Sequence, residues 1–239
     1  MTATRRPHSP RLPIIPLPNV VLYPHMPLTL CLSEPRYCQL LQTCVERQEP
    51  FGVVLCKTYD PVSLQGEPFE VGTLLVLERW TPMENRHWLV HGYGGKRFRL
   101  METNEAARPS KGRSSAAADE ERPVLQATVS WLQDRSDEPA GFTPAQCAAL
   151  GALFLEVLRL SQRVCQYPET LPEGLPTEPE TLSYLIAHYL RGSLVLKQQL
   201  LALDSTHARL SREWDALRQM REPLLARAQI EDVFGPDLP

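Results

Sequence analysis

The chain has 239 residues, 43% hydrophobic and 22% charged, with a formal net charge of −3 and six cysteines. That is enough apolar material for one large packed domain or two modest ones, and the slightly acidic balance weighs against a nucleic-acid binder without removing that alternative. No stretch approaches the ~18 apolar residues of a membrane span, and the charged N-terminus lacks the apolar run of a secretory signal. The cysteines form no CxxC pair and no small-scaffold disulfide rhythm, so the expectation is a cytoplasmic protein with reduced, buried thiols.

Residues 1–11 read as a disordered arm. Leu12–Leu17 and Val20–Tyr23 are strand candidates separated by the turn signal Pro18-Asn19. Over residues 27–32, Leu28, Leu30 and Leu32 alternate with Thr29 and Cys31, the period of a half-buried strand. Ser33 is placed to cap a helix whose first turn holds Glu34 and Pro35, and Tyr37, Leu40, Leu41, Cys44 and Val45 form one apolar stripe ending near Gln48. Phe51–Cys56 is a continuous apolar strand, residues 57–69 a loop and Val71–Trp80 the next strand. His87–Tyr93 and Arg97–Met101 flank Gly94-Gly95, a hairpin-turn signal. Residues 103–122, rich in charge, Ser and Ala, read as a disordered surface insertion, and Val124–Leu132 returns as a strand. Many short strands with one helix predict a closed or nearly closed barrel over residues 12–133.

The remainder predicts a helical bundle over 142–222. Thr143 caps a run in which Leu150, Leu153, Phe154, Val157, Leu158 and Val164 repeat with helical period. A proline-rich break follows over 166–176. Thr177 with Glu180 has capping-box spacing before Leu182, Leu185, Ile186 and Leu190. Residues 193–203 predict a third helix and Ser205 opens a fourth, with Leu203, Leu210, Leu217 and Leu224 seven apart and Trp214 and Met220 nearby. Pro223 should kink or end it, leaving 223–239 as a tail.

Several ordered motifs are similar to one family. Leu12-Pro13, Pro16-Leu17, Val21-Leu22-Tyr23-Pro24, Pro27-Leu28-Thr29-Leu30 and Glu34-Pro35-Arg36-Tyr37 follow the pattern of the Lon N-terminal domain family. So do Phe51-Gly52-Val53-Val54-Leu55, Gly72-Thr73-Leu74 and Lys96-Arg97-Phe98-Arg99-Leu100. Leu196-Lys197-Gln198-Gln199-Leu200-Leu201, with Asp204-Ser205 and Arg209-Leu210, resembles its helical segment. Cys31-Leu32-Ser33 departs where an aromatic residue commonly precedes the Glu-Pro-Arg-Tyr motif, and the 103–122 insertion is unusually long. The resemblance implies an α+β fold, a PUA-like β pseudo-barrel followed by a C-terminal helical bundle. Its structural signature here is Pro16, Leu17, Pro24, Pro27, Glu34, Pro35, Arg36 and Tyr37. The function implied is substrate recognition in Lon-type proteolysis.

Nothing in the sequence can do the chemistry of a complete Lon protease. A P-loop needs a glycine five residues before Gly95-Lys96, and Val90 stands there, with Arg97 where Ser or Thr is required. A Ser-Lys dyad would have to use Lys197 with Ser193 or Ser183, none on a Gly-rich elbow; Lys197 reads better as a helix residue whose stem covers apolar surface. His87 and His91, with Glu84 nearby, share a strand face but complete no metal site. Alternation over Lys96-Arg97-Phe98-Arg99 points Lys96 and Phe98 one way and Arg97 and Arg99 toward solvent. Glu34, Arg36 and Tyr37 read as structural, with Arg36 reaching across to the barrel.

Trp80, Trp88 and Tyr93 are candidate peptide-binding residues, because aromatic anchors dominate contact energy. The expectation is a non-enzymatic, stand-alone, cofactor-free protein that binds unfolded or exposed polypeptide segments. Its onward partner would be a protease or chaperone. The alternatives are an RNA-binding PUA-like module and a peptidase in its own right.

Overall fold

A computed structural model describes residues 10–60, 65–103, 124–135, 141–165 and 172–234. The chain divides into two units: Met1–Gln133 with Ser193–Ala202, and Asp134–Gly192 with Leu203–Pro239. The expected arm and insertion fall largely outside the described residues.

The first unit contains β1 (Arg11–Leu17), β2 (Pro27–Leu32), α1 (Pro35–Arg47), β3 (Phe51–Asp60), β4 (Gln65–Pro68), β5 (Val71–Pro82), β6 (Trp88–Thr103), β7 (Leu125–Trp131) and α4 (Leu194–Ala202). The sheet runs β1-β7-β6-β5-β3-β4, and a further parallel pairing of β1 with β3 closes five strands into a ring. Strand β2 lies outside the ring, antiparallel to the first half of β6, while β7 pairs with its second half.

Ring closure explains the near-continuous apolar runs of β1, β3 and β5, because successive side chains feed two cores. Ile14, Val54, Leu74, Phe98, Ala127 and Val129 fill the ring. Their neighbours Ile15, Val53 and Leu75 face outward and pack with Leu30, Leu32, Val90 and the α1 stripe Tyr37, Leu40, Leu41 and Cys44. Burying a side chain of this size contributes roughly 1.5–3 kcal/mol, so the outer core is what holds α1 and β2 on the ring.

Several expectations need correction. Val20–Tyr23 is not a strand. Its end is a tight turn with His25 at φ 64°, pinned by hydrogen bonds from His25 N–H to the Gly94 carbonyl (2.7 Å) and from Gly94 N–H to the Met26 carbonyl (2.9 Å). Gly94-Gly95 makes no hairpin, since β6 is one strand of 16 residues running straight through it. Gly94 is needed for close approach: a Cβ there would collide with the Tyr23 carbonyl and crowd Pro24. The loop expected over 57–69 is mostly hairpin, with β3 continuing to Asp60 and pairing with β4. Glu34, not Ser33, is the N-cap residue of α1.

The second unit packs α2 (Pro144–Cys165), α3 (Pro179–Tyr189) and α5 (Thr206–Phe234). Thr143 caps α2 reciprocally: Gln146 N–H donates to Thr143 Oγ1 (3.2 Å) and Thr143 N–H donates to Gln146 Oε1 (2.8 Å). The box expected at Thr177 does not form. Glu178 is the N-cap of α3, and the Glu180 carboxylate accepts the Tyr184 hydroxyl instead (3.1 Å). Leu210 and Leu217 of the seven-residue repeat are fully buried on α5. That helix neither ends nor breaks at Pro223 but continues to Phe234. Pro223 and Gln219, the residue whose carbonyl its missing N–H leaves unbonded, are both exposed, so solvent can serve that carbonyl.

Candidate functional site

The three aromatic residues singled out from the sequence do not meet on one surface. Along β6, Trp88 and Val90 turn toward the core beneath α1, and Trp88 packs against it. Tyr93, an odd number of residues away, points to the opposite face, where it is 39% exposed and lies opposite Pro27 and Val76. Trp80 pairs with Val90 and so shares its face, also 39% exposed. His91 bonds Thr29 (Nδ1 to Oγ1, 2.9 Å), which ties β2 to β6. Among the described residues no group of three or more His, Cys, Asp or Glu is placed to hold a metal ion.

The signature residues form a clasp at the start of α1. The Glu34 side chain makes no capping bond; it accepts Arg36 Nε at 2.8 Å and Nη2 at 2.7 Å. The Arg36 guanidinium lies 4.6 Å from the Tyr37 ring centroid, and Tyr37 is buried. Arg36 thus pairs within its own turn. Pro35 sits at the first helical position, where its missing N–H costs nothing. Pro16 and Leu17 keep β1 in register with Val54 and Leu55 of β3, Pro24 bridges Gly94, and Pro27 begins β2.

Four buried thiols and the two serines weighed with Lys197 are protonated or held in structural bonds. Burial pushes the Cys44 and Cys56 thiols up to about 11 and raises Cys38 and Cys147, the reverse of what a reactive thiolate needs. Ser193 Oγ accepts the Leu196 N–H (3.1 Å) as the cap of α4. Ser183 Oγ donates to Glu213 (2.9 Å) and accepts Arg209 Nε (2.7 Å). The Lys197 carbonyl accepts the Tyr23 hydroxyl at 2.7 Å.

The basic strand also differs from its expected form. Arg97 does not face solvent: it is 3% exposed, and its Nη1 donates to the Leu201 carbonyl at 2.6 Å. Arg99 pairs with Glu70 at 3.1 Å. What looked like a basic stripe therefore bonds protein groups.

In the second unit, sequence reasoning missed both a groove and the polar cluster near it. Ala149, Leu153 and Glu156 of α2 face Trp214, Arg218 and Arg221 of α5 across a groove of about 570 Å³. The spacings, four and then three residues on each helix, put each set on one face. Arg221 and Glu156 bridge the helices at 2.8 Å.

On another face of α5, Arg209 is fully buried, with its Nη2 2.6 Å from Asp134 Oδ2 and its guanidinium 4.4 Å from the Tyr184 ring centroid. Thr206 also donates to Asp134. Burial raises the Glu213 carboxyl well above the usual carboxylate range, only partly opposed by Ser183 and Arg209. Trp214 and the charged i, i+4 positions were the available signals. They were masked by the leucine repeat.

The model for the ATP-dependent protease La (LON) substrate-binding domain matches residues 11–219. The chain belongs to the LON substrate-binding domain family. It is 26% identical over 230 residues to a Lon protease of Anaeromyxobacter dehalogenans (strain 2CP-C), covering 95% of this chain and 25% of that protein. It is 25% identical over 230 residues to Lon protease 2 of Myxococcus xanthus, covering 95% and 26%. The chain therefore spans about a quarter of the length of the curated relatives it matches.

Two solved structures share the LON-domain fold. A Lon N-terminal domain protein from Xanthomonas campestris has a TM-score of 0.58 at 22% identity, over 85% of this chain and 96% of that one. The N-terminal domain of Mycobacterium avium complex Lon protease has a TM-score of 0.56 at 13% identity, over 87% and 98%. The α+β reading, strands followed by helices, stands. The family's role is substrate binding, not catalysis.

Proposed function

We propose that this chain binds unfolded or exposed stretches of polypeptide and holds them uncut, as the recognition step of Lon-type proteolysis. The observation that carries the reading is the substrate-binding-domain match, which runs through both units from residue 11 to 219. The site chemistry agrees with it: buried thiols stay protonated, Ser193 and Ser183 are committed to structural bonds, and the basic residues Arg97 and Arg99 bond to protein groups rather than forming a phosphate-binding stripe. In this reading a protease or a chaperone takes the bound segment onward.

The test is fluorescence anisotropy with labelled unfolded casein, a folded control protein and a single-stranded RNA. Binding to casein alone, with the casein recovered intact, is the expected result. Hydrolysis of the casein, or RNA binding that weakens steeply with salt, would replace this reading with one of the alternatives.

A further inference from the structure

We infer that the outward edge of β2 is a docking site at which an extended, uncharged stretch of polypeptide joins the sheet as an added strand. This rests on the polypeptide-binding reading above and assigns it a place and a mode.

The hydrogen-bond phase of β2 sets which groups are on offer. Gly94 N–H donates to the Met26 carbonyl, which starts the ladder on even-numbered residues of this segment. Thr29 and His91, directly opposite each other, bond through their side chains at 2.9 Å, as expected of the narrow pair type that exchanges no backbone bonds. Leu28, Leu30 and Leu32 therefore bond β6. The N–H and C=O groups of Thr29 and Cys31 point away from it. Both residues are exposed, and no strand or loop among the described residues pairs with that edge.

Sheets ordinarily blunt a free edge with a bulge, a proline, a charge or a short strand. Two other open edges among the described residues are blunted in that way. The outer part of β5 carries a register shift between Leu77 and Arg79 and ends in Pro82, and β4 is four residues long and ends in Pro68. β2 has none of this beyond its first residue, with six consecutive pairs to β6, no bulge and no charged side chain.

Alternating donors and acceptors along an edge are complementary to one thing, another extended backbone. The side chains beside the edge, Thr29, Cys31 and Pro27 with Tyr93 behind, are uncharged, which favours an uncharged strand about as long as the six residues of β2.

The experiment is residue-resolved amide hydrogen exchange on the full chain, with and without saturating fluorescein-labelled casein, alongside anisotropy titrations of the same probe. Casein should slow exchange at Thr29 and Cys31 while Leu28, Leu30 and Leu32 stay protected throughout. Thr29→Pro removes an outward N–H and the Thr29–His91 side-chain bond but no backbone bond of the ladder to β6, a change edge strands tolerate. Cys31→Lys puts a charge on the edge. Each should weaken casein binding by about tenfold or more.

Casein binding with unchanged exchange at Thr29 and Cys31 overturns the edge assignment and leaves the polypeptide-binding reading standing. No casein binding overturns both. Protection of Thr29 and Cys31 in the free protein, together with a sedimenting dimer abolished by Cys31→Lys, gives the edge to a second copy and also overturns the assignment. The exchange measurement on the unaltered chain decides the matter even if a variant fails to fold.

Discussion

Arg97, in the middle of β6, donates a 2.6 Å hydrogen bond to the carbonyl of Leu201, one residue before the end of α4. The last four carbonyls of a helix have no partner within it and carry partial negative charge, so a buried guanidinium is well suited to them. Tyr23 and Gln198 add to the same junction: Tyr23 donates to the Lys197 carbonyl, and Gln198 Nε2 donates to the Val71 carbonyl at 2.8 Å. These bonds explain how a helix far along the chain comes to pack with the strands.

Replacing Arg97 with Leu should therefore release α4 from the first unit. The lost charge-assisted bond and the stranded carbonyl should together cost about 2–3 kcal/mol. The measurement is hydrogen exchange of the α4 amides with urea unfolding of the whole chain. Unchanged α4 protection would show that packing alone holds the helix.

Gly94→Ala tests the reading of β6 as a continuous strand. The added methyl meets backbone, at the Tyr23 carbonyl and Pro24, which cannot rotate away. A loss of about 1–3 kcal/mol in chemical denaturation is expected. A tolerated alanine would instead fit the hairpin turn suggested by the paired glycines.

Glu213 should make the second unit pH-sensitive. Its folded carboxyl keeps its proton above the range in which the unfolded chain releases it. Between those two values the folded form binds more protons, so stability falls as pH rises and levels off once the folded group has ionised. Glu213→Gln, neutral at all pH, should remove that slope and leave the variant more stable than the parent at the alkaline end. Thermal unfolding followed by the helical circular-dichroism signal from about pH 5 to 9, parent against variant, reads the effect; equal slopes would assign the titration elsewhere.

Pro223→Ala should strengthen α5. The proline is exposed, and replacing it restores a helical N–H, with an expected gain of up to about 3 kcal/mol in denaturant unfolding. A loss would mean that the local geometry at Pro223 is required by the packing of the bundle.

The elements that were legible along the chain are those whose signal is local. The alternation of residues 27–32 became β2 with the same ends, and the stripe from Tyr37 to Val45 became the core-facing side of α1. The Thr143 cap formed because its partner lies three residues away. The expectations that failed depended on distant partners. Whether Gly94 turns or packs is decided by the turn around Tyr23, and whether Arg97 faces water is decided by a helix terminus more than a hundred positions later.

The candidate site followed the same division. Residue type alone nominated Trp80, Trp88 and Tyr93, but strand register places Trp88 against the core and turns Tyr93 to the opposite face. The free edge of β2 was invisible in the sequence, because backbone groups carry no residue label.

Amino-acid order by itself determined the family, a strand-rich part followed by helices, and the apolar faces of β2 and α1, since periodicity and capping act over a few residues. Tertiary structure alone decided which five strands close the ring, that α4 packs with the strands, and that Arg97, Arg209 and Glu213 are buried. Hydrogen-bond partners distant in sequence, and exclusion from water, are properties of what lies nearby in space, and no local pattern encodes them.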